Sequence, residues 1–199
     1  RFGEMTHFRE SYVYWGHPAG FDPVRRLSLP TIAAADVAAG DFNGDGHLDL
    51  AFVNNLHTEQ SVYVYWGDGT GRFTESARQV LAMAAAAAGE LHAALTADLD
   101  RDGVADLVVG GDRRAYLFRG TKAGLVPAPL PELQAENCQA LKAADLNGDG
   151  WMDLVVANAG TEPAQPKSVI YWGGPEGFSP THATALATHH AMAVDAADL

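Results

Sequence analysis

The chain has 199 residues, 47% of them hydrophobic, which is material for one sizeable core or several small repeated ones and not for a disordered tail. Its formal charge of -12, from 25 acidic against 13 basic side chains, disfavours nucleic acid or an anionic membrane surface as a partner and favours cations. No apolar run reaches the roughly 18 residues of a membrane span, and with Cys138 the single cysteine no internal disulfide can form. Cys138 reads as a small buried apolar residue.

In chain order, the pattern is one of short strands. The opening Arg1-Phe2-Gly3-Glu4 has no basic-then-apolar leader, and the chain reads as starting inside a repeat. Tyr14-Trp15-Gly16 ends a β-rich run and Gly20-Phe21 turns back, which predicts the last two strands of a unit over about 10–29. Asp41 then opens an Asp-rich loop. The apolar run Leu50–Val53, the β-branched and aromatic run Ser61–Trp66 and the turn Gly71-Arg72-Phe73 follow, leading to a fourth strand over Phe73–Leu81.

The tract Met83–Gly89, with alanine at positions 84 to 88, predicts an inter-unit connector with a helical turn. A second loop begins at Asp98, and Leu117-Phe118-Arg119-Gly120 and Gly124-Leu125 take the places of the Trp-Gly end and the turn. Pro127, Pro129 and Pro131 suit an irregular edge segment. A third loop begins at Asp145, followed by the strand Leu154–Ala157, Tyr171-Trp172-Gly173 and Gly177-Phe178. Asp198-Leu199 opens a fourth copy. The first acidic positions, 41, 98, 145 and 198, are spaced by 57, 47 and 53 residues, the size of a four-stranded propeller blade. Three markers recurring in one order mean one supersecondary unit. The predicted fold is therefore all-β: a β-propeller of four-stranded antiparallel blades, with complete blades over about 31–81, 90–130 and 137–186 and partial blades at 10–29 and 190–199.

The three loops align without gaps. Asp41, Asn43, Asp45 and Asp49 stand at positions one, three, five and nine of the first, Asp98, Asp100, Asp102 and Asp106 of the second, and Asp145, Asn147, Asp149 and Asp153 of the third. Alternate residues of a tight turn can aim their oxygens at a common centre, and a hard divalent cation wants six to eight oxygen ligands. Position six is glycine, where the backbone turns sharply. Position seven is His47, Val104 or Trp151, a variation that fits a ligand offered by the main-chain carbonyl. About three calcium ions, one per loop, are expected, and they would offset six of the twelve net negative charges. An EF-hand is excluded because position twelve, where it needs a bidentate Glu, is Phe52, Val109 or Val156.

The Asp-x-Asn/Asp-x-Asp-Gly-x-x-Asp-Leu loops, the strand after each, the Tyr-Trp-Gly ends and the Gly-Phe turns resemble the FG-GAP or VCBS-type repeats of integrin α-subunit propellers and of many secreted bacterial proteins. The resemblance covers nearly the whole chain. It implies a propeller, usually seven-bladed, with calcium between the first two strands of a blade, in an extracellular, cell-surface or periplasmic setting. Seven blades would need roughly twice this length, so the remaining blades belong to a longer chain or to other copies.

The function expected is a non-enzymatic binding or adhesion module for a protein or glycan, with calcium in a structural role because filled cages leave no open position to activate water. Trp15, Trp66 and Trp172, repeated at equivalent strand ends, read as packing residues and Trp151 as the better surface contact. Two alternatives stand beside it: a structural repeat in a surface layer or filament, and the scaffold of a polysaccharide lyase or hydrolase. For the last, His92, His189 and His190 precede loop-bearing strands, but they lack a nucleophile-base-orienter set.

Overall fold

A computed structural model describes residues 8–56, 59–83, 89–128, 133–160 and 167–197. The alanine tract 84–88, Pro129, Pro131 and the Asp198-Leu199 start of a fourth loop lie outside them. Among the described residues there is no α-helix. Strands β1 (Phe8–Tyr14) and β2 (Arg26–Ile32) form an antiparallel pair. Next, β3 (Ala34–Gly40), β4 (Asp49–Leu56), β5 (Glu59–Tyr65) and β6 (Gln79–Ala82) form an antiparallel sheet in chain order. A second sheet comprises β7 (Leu91–Ala97), β8 (Asp106–Gly111) and β9 (Arg114–Arg119), with the short strands β10 (Val126–Pro127) and β11 (Leu133–Gln134) both pairing β9. The third is β12 (Cys138–Ala144), β13 (Asp153–Asn158), β14 (Lys167–Tyr171) and β15 (Ala183–Ala187).

The core lies between the sheets. Strands β4, β8 and β13 are continuous apolar runs because both their faces are covered, a pattern that one-sided sheets do not need. In β8, Leu107 and Val109 join Val53, Val62 and Phe42 on one side, while Val108 joins Leu141, Leu154 and Val156 on the other. Phe52 of β4 faces the opposite way, to Leu29 and Ile32 of β2. The first strands β3, β7 and β12 lie side by side and each is bulged near its start, at Ala34/Asp36, Leu91/Ala93 and Cys138/Ala140. Such stacked, blade-like sheets with their first strands adjacent are the architecture of a propeller arc. Trp15 and Trp66 each pack on a glycine of the following sheet, Gly71 and Gly124, as packing residues should. Trp15 also lies parallel to Phe73, with ring centroids 6.4 Å apart.

The fourth strand of the first full sheet is shorter than Phe73–Leu81. Phe73 makes only an isolated bridge to Gly67, a 3-10 turn occupies Glu75–Ala77, and pairing with β5 begins at Gln79. Arg78 explains the detour: its guanidinium sits 4.2 Å from the Tyr63 ring centre and pairs with Glu75 at 2.9 Å, holding the chain off the sheet edge. In the second sheet Pro127 stands at an edge, where a missing N–H does least harm.

Candidate metal centre

Each Asp-rich loop joins the first two strands of a sheet: Asp41–Leu48 between β3 and β4, Asp98–Ala105 between β7 and β8, Asp145–Met152 between β12 and β13. Side-chain oxygens curl the backbone inward. The position-one carboxylate accepts the position-six glycine N–H in every copy, Gly46 to Asp41 at 2.8 Å, Gly103 to Asp98 at 3.0 Å and Gly150 to Asp145 at 2.8 Å. The position-five carboxylate accepts the N–H of position seven, His47, Val104 or Trp151, at 2.8 Å each time. Those residues therefore take part through their backbone, and their side chains vary freely. These bonds hold Asp149 below the usual carboxylate range, chiefly through the Trp151 N–H and the Asn147 amide.

The position-nine aspartates do something the spacing alone did not suggest. Asp49, Asp106 and Asp153 are all buried, and each uses both oxygens on backbone N–H groups from two places. One is the residue after position one: Phe42 at 3.0 Å, Leu99 at 2.9 Å and Leu146 at 2.8 Å. The other is the glycine of the Trp-Gly marker or its equivalent: Gly67 at 2.9 Å, Gly120 at 3.0 Å and Gly173 at 2.9 Å. These carboxylates bolt the loop to the end of the third strand. The glycines are required by contact, since a side chain at 67, 120 or 173 would collide with the carbonyl oxygen of Leu48, Ala105 or Met152. Burial raises the Asp49 carboxyl above its ordinary value and pushes Asp106 up to about 6.

The second loop is the most strongly acidic. Asp98, Asp100 and Asp106 each offer an oxygen within 4.8 Å of the others. Asp98 Oδ1 is buried with no hydrogen-bond partner, whereas Asp41 Oδ1 and Asp145 Oδ1 accept the N–H of Asp45 and Asp149 at 3.0 and 3.1 Å. A buried, unpartnered carboxylate oxygen beside two more carboxylates fits a hard cation by both charge and donor type. In the other two loops position three is a neutral asparagine, and the Asn43 amide donates to Asp45 at 3.0 Å and the Asn147 amide to Asp149 at 2.9 Å.

Two arginines mark the second loop. Arg119, in the register position held by Trp66 and Trp172, places Nε 3.2 Å from Asp100 Oδ2. Arg101, at a position that is glycine in the other loops, adopts φ +65° and lays its guanidinium 5.0 Å from the centre of the Trp151 ring in the third loop. Trp151 is thus half-buried under its neighbour and not a free surface contact. Arg119 was legible as the one departure from the Trp-Gly marker, but its partner, Asp100, is remote in sequence. Of the histidines, His92 on β7 places Nε2 2.8 Å from Asp112 Oδ1, while His189 and His190 are exposed beyond β15.

Residues 41–109, 98–156 and 145–199 each match the sequence profile described as an FG-GAP-like repeat. The chain is also similar to integrin alpha-4 of Xenopus laevis, 28% identical over 149 residues that are 64% of this chain and 14% of that protein. To integrin alpha-PS5 of Drosophila melanogaster it is 23% identical over 150 residues, 63% of this chain and 15% of that protein. The chain thus spans about a seventh of the length of these curated relatives.

Proposed function

Because the chain belongs to the FG-GAP-like repeat family, we propose that it is an arc of an extracellular, calcium-stabilised β-propeller that acts as a binding or adhesion module for a protein or glycan. Its complete blades run over about 31–81, 90–130 and 137–186. The observation that carries the metal reading is the second loop, with three carboxylates within 4.8 Å and the buried Asp98 Oδ1 unpartnered. Calcium would be held by Asp41, Asn43, Asp45, Asp49 and the His47 carbonyl, by Asp98, Asp100, Asp102, Asp106 and the Val104 carbonyl, and by Asp145, Asn147, Asp149, Asp153 and the Trp151 carbonyl. The position-nine oxygens that accept an N–H keep a second lone pair for this purpose.

A cation in these cages stiffens the junction between first and second strands and relieves repulsion among carboxylates; it is structural and activates no water. Adhesion is supported by the similarity to two integrin alpha chains. Calcium titration by calorimetry with parallel melting curves tests the metal. About three ions per chain are expected, with stabilisation of about 2.7 kcal/mol per site at a hundredfold excess over Kd. No uptake, and the same Tm in chelator, would reduce the loops to turns.

A further inference from the structure

Two side chains seal the junction between the first and second full sheets. The Trp66 ring lies against Gly124, so closely that a side chain there would meet it at 2.9 Å. Gln79, paired with Val64 in the sheet, bridges to the next residue: its amide donates to the Leu125 carbonyl at 2.6 Å and its oxygen accepts the Leu125 N–H at 3.1 Å. The receiving half is repeated in the third sheet, where Gly177 has φ +77° and Phe178, like Leu125, is buried.

The inserting half is not repeated in the second sheet. Arg119 stands in the place of Trp66, and Ala128, whose N–H bonds the Leu117 carbonyl at 3.0 Å, stands in the place of Gln79. The outcome is a cavity of about 160 Å³ between the second and third sheets. Leu99, Leu117, Ala128 and Phe178 supply apolar lining, the Asp100 and Asp106 carboxylates of the second loop line it as well, and the exposed Arg119 and Glu176 border it. It lies well under the about 300 Å³ of pockets for drug-sized ligands, so its occupant must be small.

We propose that this cavity is a binding site for a small aromatic amine, a flat ring that fills the room an indole takes at the preceding junction and an ammonium group that meets Glu176. Charge decides the amine. Arg119 is already engaged by Asp100, Glu176 has no ion-pair partner among the described residues, and the chain as a whole carries -12, so the field draws cations. A ring N–H would find the acceptor that Gln79 finds at Leu125, here the Phe178 carbonyl. The cavity shares Asp100 and Asp106 with the second loop, where calcium would engage them, and Glu176 is the carboxylate left for the ammonium group; titration with and without calcium separates the two readings.

Tryptamine, indole and indole-3-acetate, titrated by calorimetry into the full chain in excess calcium and again in chelator, test it. Tryptamine should bind at least tenfold more tightly than indole, and indole-3-acetate more weakly than either. Arg119→Trp should abolish tryptamine binding while raising Tm, because the side chain restores the missing plug. Glu176→Gln should weaken tryptamine about tenfold and leave indole unchanged. Indole-3-acetate binding as tightly as tryptamine, or undiminished binding to a folded Arg119→Trp variant, would overturn the proposal. Loss of calcium uptake with tryptamine binding intact would overturn the metal reading alone.

Discussion

The second Asp-rich loop and its flanks differ from the first and third at linked positions. Asp100 replaces an asparagine, Arg101 a glycine and Arg119 a tryptophan. One added negative charge comes with two added positive ones, and Arg119 answers Asp100 directly at 3.2 Å. The exchange is made at the expense of packing, because the arginine that balances the loop cannot also be the ring that seals the next sheet. Cage electrostatics and inter-blade closure are thus coupled through a single residue position.

The largest effect should come from what all three loops share. Asp153→Ala leaves the Leu146 and Gly173 N–H groups without their acceptor, and about 1–3 kcal/mol for each buried donor gives a loss of about 2–6 kcal/mol in chelator, with a larger loss in calcium because a proposed ligand goes as well. Asp149→Ala, on the exposed side of the same loop, should lower stability in calcium only. Denaturant unfolding of both variants under both conditions checks this, and a matching pattern for the two would break the division between anchor and cage.

The next effect separates the second loop by pH. Without metal, the folded-state Asp106 carboxyl titrates at about 6 against 3.8 for an ordinary one. The folded form therefore holds its proton more tightly, and stability falls as pH rises between those values, by up to about 3 kcal/mol at 1.36 kcal/mol per unit. With calcium bound the carboxylate form is favoured and the slope reverses. Melting curves from pH 4 to 7 in chelator should show the falling limb in the parent and not in Asp106→Asn; a parent curve that rises throughout would contradict it.

Arg101→Gly sets the smallest effect. It removes a left-handed non-glycine residue worth about 1–2 kcal/mol of strain and a cation–π contact worth about 0.5–1 kcal/mol, so Tm should rise slightly or stay put while the Trp151 fluorescence environment becomes more exposed. A clear fall in Tm would mean that the bridge between adjacent loops matters more than its geometry indicates.

Much of this was legible because it is local. The Asp-rich loop, the strand run and the Trp-Gly end are each a short contiguous stretch, and their recurrence every 47 to 57 residues reads directly. What was not legible depends on closure over distance: Asp49 meets Gly67 18 residues on, and Asp153 meets Gly173 20 residues on. Position nine therefore read only as a ligand, while the structure shows it pinning the loop to the end of the third strand. The short fourth strand after Phe73 escaped for another reason, the competition of Arg78 with strand pairing, which no propensity records.

Cys138 sits between the second and third sheets, fully buried against Gly110 of the neighbouring one, with burial pushing its thiol up to about 12. A thiol so placed reacts only when β12 parts from β8. As the sole cysteine, it makes the molecule its own clock: each labelling event counts one separation of the second and third sheets, so the breathing of the least plugged junction can be timed without introducing any foreign group.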